Sequence, residues 1–178
     1  MASAKAKRRL LIVDGYNVIN ARKDAYSGAL ADARDKLLQE LMDYAGYSGQ
    51  QIILVFDAWM SDRQTRTTDK FGPVEVVYTQ KGETADHYIE RVCDEHARDV
   101  EFGRMEIRVA TSDGTEQTIV LGRGAIRLSA RELMYEMNEM RTRGKTGSAA
   151  AAASKRNPIG DHLPADIRQK LEQMRRGE

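Results

Sequence analysis

The sequence predicts an α/β fold, a doubly wound parallel sheet of about five strands, and three observations carry that expectation. Two short apolar runs, Arg9 to Asp14 (RLLIVD) and Gln51 to Asp57 (QIILVFD), each end in a carboxylate. Short continuous apolar runs read as parallel strands buried on both faces. Between them Leu30, Ala33, Leu37, Leu41 and Ala45 recur at three- and four-residue spacing, the stripe of an amphipathic helix that Gly46 and Gly49 help to end.

The alternation then continues. Val74 to Tyr78 (VEVVY) is a third strand, and after Gly82 a helix opens at Thr84 with Ile89, Val92 and Cys93 on its inner face. Glu106 to Thr111 is a fourth strand, Thr115 to Leu121 a short helix closed by Gly122, and Ala125 to Leu128 a short fifth strand. Ser129 and Glu132 have capping-box spacing, and the helix they start carries Leu133, Met137 and Met140 as its apolar stripe. From Gly144 to Pro164 the pattern dissolves into Gly, Ser and the alanine run Ala149 to Ala153, expected as a mobile or partly helical connector. A short helix follows from Pro164 through Ile167, Leu171 and Met174. The expected organisation is a basic extension (1–8), a catalytic α/β domain (9–143), a Gly/Ala/Ser-rich linker (144–163) and a C-terminal helix (164–178).

A chain of 178 residues is ample for one such core, and its 41% hydrophobic and 31% charged residues are those of a globular protein. No apolar run approaches the roughly 20 residues that span a bilayer. The apolar stretch after the basic N-terminus is too short for a secretory core and ends in Asp14. Cys93 is the single cysteine, so no internal disulfide can form, and a cytoplasmic location is expected. The net charge of +1 hides an asymmetry: residues 1–9 and 141–178 are basic, leaving fifteen Lys/Arg against twenty-three Asp/Glu, a net of −8, in residues 10–140.

In an open parallel sheet, ligands bind at the carboxyl ends of the strands. Asp14 ends the first strand and Asp57 the second, Glu83 and Asp86 straddle the helix start after the third, and Asp113 follows the fourth with Glu116 close behind. Any one of these acids alone reads as a cap or a turn former. Their coincidence at four strand ends outweighs that reading, because clustered carboxylates repel unless a cation joins them. Hard oxygen ligands suit Mg²⁺ or Mn²⁺, which activate water and stabilise a leaving oxygen in phosphodiester hydrolysis. Asn17, three residues past Asp14, is placed to orient that carboxylate or a phosphate, though after Gly15 it is ordinarily a turn residue. Ser112 joins Thr111 and Asp113 in a strand-to-helix turn. Arg123, Arg127 and Arg131 recur at intervals of four and are candidates for RNA phosphate, against a solvated basic face. Tyr16 and Trp59 are candidates for base stacking, against core packing. The basic arms, mainly Arg8, Arg9, Lys155 and Arg156, are expected to offset the acidic body in holding RNA. His87, His96 and His162 lack metal-ligand spacing.

Asp14-Gly15-Tyr16-Asn17 after an apolar strand, Phe56-Asp57, Glu83-Thr84-Ala85-Asp86 and Thr111-Ser112-Asp113, in this order, resemble the NYN branch of PIN-like ribonucleases, and more narrowly the YacP-like family. Glu116-Gln117 and the stretch from Gly124 to Leu133 extend the likeness over residues 9–140. The resemblance implies a strand order 3-2-1-4-5, Mg²⁺ or Mn²⁺ dependence, endonucleolytic RNA cleavage, and action on mRNA at the ribosome. It implies Asp14, Asp86 and Asp113 as metal-binding acids, supported by Asn17 and Asp57. No membrane and no small-molecule cofactor are expected.

A ribosome- or RNA-binding module that keeps the acidic pocket without turnover is the alternative, and the sequence barely separates the two. A phosphohydrolase of the haloacid-dehalogenase type needs a second Asp two residues after its nucleophile, where Tyr16 stands. A dinucleotide-binding domain needs a Gly-rich turn that Asp14-Gly15-Tyr16-Asn17 does not provide.

Overall fold

The computed structural model describes residues 6–58, 62–112 and 124–154, with side chains up to residue 144. The elements are β1 (Arg8–Asp14), α1 (Gly15–Ala21), α2 (Leu30–Ser48), β2 (Gln51–Phe56), β3 (Thr67–Phe71), β4 (Val74–Tyr78), α3 (Ala85–Glu95), α4 (Ala97–Glu101), β5 (Met105–Ala110), β6 (Ile126–Leu128) and α5 (Ala130–Ser154). The strands form one sheet in the order β3-β4-β2-β1-β5-β6. All pairs are parallel except β3 with β4. The five parallel strands follow the expected 3-2-1-4-5 order.

Side chains alternate across each strand, so β1 feeds two cores. Leu11 and Val13 join α1, α2 and α5 on one face, where Leu37, Leu41 and Leu133 are fully buried. Leu10 and Ile12 join α3 on the other, with Ile89, Val92 and Cys93. That two-sided burial is why the strand reads as an unbroken apolar run. Arg108 of β5 forks onto Glu136 of α5 at 3.0 and 2.5 Å, and the Tyr44 hydroxyl of α2 donates to the same carboxylate at 2.7 Å. Burial opposes ionisation of Glu136, but Arg108 and Tyr44 outweigh it and hold the carboxyl below its ordinary value.

Two readings are corrected. Thr67–Phe71 is a strand, β3, that the hydrophobic pattern does not signal: it lies at the sheet edge, is nearly all exposed, and carries Asp69 and Lys70 with Phe71 as its single apolar residue. Charged edge strands resist pairing with other chains, and that same composition hides them from a hydrophobicity search. Asn17 is not in a turn but inside α1, which Asp14 caps. Of the two forms expected for the connector, the partly helical one is seen: α5 continues through the alanine run to Ser154, in keeping with the high helix propensity of alanine. Elsewhere the helix starts follow the sequence signals. Thr84 accepts from the His87 amide at 3.2 Å, and Ser129 and Glu132 form the reciprocal capping box at 2.7 and 3.2 Å.

Residues 1–141 form one compact unit and 142–178 a second. Among the described residues no helix is long and apolar enough to cross a membrane. The short helix expected at Thr115–Leu121 and the one expected from Pro164 lie outside the described residues.

Candidate functional site

Strand register brings Asp14 and Asp57 to one edge, beside the exits of β4 and β5. Asp14 stands level with Val55 of β2, two residues before Asp57. Val13 pairs with Ala110 and Phe56 with Tyr78, so the chain leaving β5 at Thr111 and the chain leaving β4 at Thr79 emerge beside them. Each exit is tied to a neighbouring strand. The Thr79 amide donates to the Phe56 carbonyl at 3.1 Å, the Ala58 amide to the Thr79 hydroxyl at 2.8 Å, and the Thr111 amide to the Leu128 carbonyl at 3.0 Å.

Asp14 is 7% exposed, and its Oδ1 accepts from the Asn17 amide at 3.1 Å, the capping bond that starts α1 directly at the strand end. Asn17 in turn accepts through Oδ1 from the Ser112 amide at 2.6 Å, which fastens the segment entering Asp113 to the helix that follows Asp14. Asp57 performs the matching task on the other side: its Oδ2 accepts from the Ala85 amide at 3.3 Å, placing the first turn of α3, with Asp86, against the end of β2. The α3 N-terminus there favours negative charge.

Gly15 has no room for a side chain. A Cβ would sit 2.7 Å from Cδ1 and 3.0 Å from Cζ of Phe56, whose ring is 1% exposed. We expect Gly15→Ala to cost about 1–3 kcal/mol in urea unfolding and to disturb the start of α1. A wild-type midpoint would show that the ring can yield.

Glu83 is engaged differently from the expected supporting acid. It is 8% exposed and bound by Arg66 through two nitrogens, by Arg91 at 3.0 Å and by the Gln80 amide at 3.4 Å. Burial raises its pKa, but Arg66, the Gln80 amide and Arg91 together hold it below the ordinary glutamate value. Both guanidinium groups also lie against the Tyr88 ring, at 4.9 and 5.2 Å. Glu83 thus locks the loop before α3, with Arg66 coming from the residue just ahead of β3.

Of the other candidates, Tyr16 packs at 5.0 Å from Phe56 and stays half-buried. Arg127 and Arg131 are exposed, the first in β6 and the second in the first turn of α5. Arg8 and Arg9 are not brought to the site: they start β1 at the opposite sheet edge, where Arg8 pairs with Asp99 and Arg9 donates to the Ser48 carbonyl. Ser112 is exposed and enters through its amide. Asp113, Glu116, Trp59, Arg123, Lys155 and Arg156 lie outside the described residues. Among the described residues no group of three His, Cys, Asp or Glu is close enough to hold a metal ion, and the expected set includes Asp113. Sequence reasoning did not single out Tyr78, whose half-buried ring stacks on Phe56 at 5.4 Å. Tyr78 ends β4 as Asp14 ends β1, so strand-end reasoning extended to aromatic residues finds it.

Residues 11–176 match the family model described as the YacP-like NYN domain. The uncharacterized protein YacP of Bacillus subtilis (strain 168) is 36% identical over 175 residues, covering 95% of this chain and 98% of the relative. The crystal structure of Rae1 (YacP) from Bacillus subtilis is similar with a TM-score of 0.65 and 35% identity, over 94% of this chain and 95% of that one. The crystal structure of a tryptophan-to-leucine mutant of the same Rae1 matches with a TM-score of 0.63 and 33% identity, over 93% of this chain and 99% of that one.

Proposed function

The chain belongs to the YacP-like NYN family, within the NYN/PIN-like nucleases, and from that premise we propose that it is a divalent-metal-dependent endoribonuclease acting in the cytoplasm on mRNA at the ribosome. One observation carries the reading: the segments entering Asp86 and Asp113 are each hydrogen-bonded to a side chain, Asp57 or Asn17, at the strand edge that Asp14 ends. Fixed geometry of this kind serves to hold acids in place.

The donor chemistry fits the ion. Asp14, Asp86 and Asp113 would hold Mg²⁺ or Mn²⁺ through hard carboxylate oxygens, and an all-oxygen set suits neither a soft metal nor a structural zinc. When bound, such an ion lowers the pKa of a water and stabilises the leaving oxygen of a phosphodiester. The chain's own residues do the positioning. Asn17 keeps the Ser112 amide against α1, Asp57 keeps α3 against β2, and Glu83 with Arg66 and Arg91 stiffens the approach to Asp86.

The test is cleavage of a labelled single-stranded RNA, and of mRNA on ribosomes, by the purified full chain with Mn²⁺, with Mg²⁺ and with chelator. Internal cuts that require the metal are expected. RNA or ribosome binding without turnover under any metal would favour a binding module instead.

A further inference from the structure

The acidic edge has a cationic flank on one side of the sheet, where arginines gather on the aromatic rings at the strand ends. Three rings run along the carboxyl ends of β1, β2 and β4. Tyr16 lies 5.0 Å from Phe56, and Phe56 5.4 Å from Tyr78. Phe56 is sealed in the core while the two tyrosines are half-buried and reach the surface. Two guanidinium groups are gathered on these tyrosines. Arg34 of α2 reaches the Tyr16 hydroxyl at 3.4 Å and lies 5.9 Å from the centre of the Tyr78 ring. Arg63, from the loop before β3, lies 5.0 Å from the same ring and donates to the Thr67 hydroxyl at 3.0 Å. Its carbonyl accepts from the Lys81 amide at 2.8 Å, which pins this loop to the one that leads into α3.

We propose that Arg34 and Arg63, held on Tyr16 and Tyr78, form a phosphate subsite for the RNA backbone on the α2 side of the acidic strand edge. The proposal rests on the RNA-cleaving reading above and names the groups that make it workable. A body with a net charge of −8 over residues 10–140 repels a polyanion, so binding needs fixed cations next to the acids. Arg8 and Arg9, at the far edge, do not supply them. Among the described residues Arg34 forms no ion pair with a carboxylate, which leaves its charge for an outside anion. Stacking on tyrosine fixes the plane of a guanidinium while its N–H edge stays available for a phosphate fork. With Arg34 and Arg63 over Tyr78, that ring serves as a holder of cations rather than as a platform for a base. Tyr16 stands two residues after Asp14, and Tyr78 pairs with Phe56, the residue before Asp57, so the subsite lies beside the strand ends that lead to two of the acids.

The experiment measures anisotropy of a short labelled single-stranded RNA on the full chain in chelator across a salt series, then steady-state cleavage with Mn²⁺. Arg34→Ala with Arg63→Ala should weaken binding roughly tenfold and flatten the salt slope by about 0.7 for each phosphate no longer neutralised. In cleavage, KM should rise while kcat at saturation holds. Lysine at both positions should restore the slope but only part of the affinity, because the charge returns without the fork. Lys70→Ala, which removes one positive charge at the far edge as each single arginine variant does near the acids, should change neither. If the double variant does not fold, each single alanine variant should flatten the slope by about 0.7. Wild-type slope and affinity in the alanine variants, or an equal loss in Lys70→Ala, would overturn the subsite while the nuclease reading stands. Wild-type protein that binds but never cleaves, with binding still lost in the double variant, would overturn the nuclease reading while the subsite stands. Wild-type protein that binds no RNA overturns both.

Discussion

Asp86→Asn should reduce metal-dependent RNA cleavage by roughly a thousandfold or more while leaving the protein folded. Loss of one charged ligand removes several kcal/mol of transition-state stabilisation, and about 4 kcal/mol corresponds to roughly three decades in rate. The substitution keeps side-chain volume. Thr84, not Asp86, caps α3, so the cap survives the substitution, and loss of the favourable charge at the helix start costs about 0.3–1 kcal/mol. Single-turnover cleavage with Mn²⁺, beside a thermal melt and RNA anisotropy, separates these effects. Turnover near wild type would remove Asp86 from the site.

Asn17→Ala should lower cleavage about 10–100-fold without touching a metal ligand. Its side chain accepts from the Ser112 amide at 2.6 Å, and the residue after Ser112 is Asp113. Without that acceptor the segment carrying the third acid loses its anchor to α1, and groups that orient ligands typically cost this much when removed. The capping bond is made by the Asn17 backbone amide to Asp14, so alanine preserves it and the helix remains. The loss should appear as weaker Mn²⁺ binding, read directly by titration, and be partly recovered at high Mn²⁺. Wild-type metal affinity in this variant would make Asn17 a purely structural residue.

The parallel strands were legible because burial on both faces leaves apolar runs, as in β1, with carboxylates at their ends. The starts of α3 and α5 were legible because Thr84 and Ser129 satisfy amides by local hydrogen bonds that spacing alone predicts. What escaped depends on partners distant in sequence. β3 has no alternating apolar pattern and exists through its ladder with β4. α1 is a short helix whose signal, Asp14 as cap, is the same residue that reads as a ligand. Glu83 reads from sequence as a supporting acid, and the manner of its support, a brace through Arg66 and Arg91, depends on partners that spacing does not show. The Arg34 and Arg63 flank joins α2, β4 and a loop, which no local pattern brings together.

The most direct measurement is a crystal structure of the full chain soaked with Mn²⁺, located by its anomalous signal. The account predicts the ion at the carboxyl edge of β1, held by oxygens of Asp14, Asp86 and Asp113, with Asp57 and Asn17 beside them. An ion bound elsewhere, or Asp113 turned away from Asp14 with the metal at saturating concentration, would contradict it.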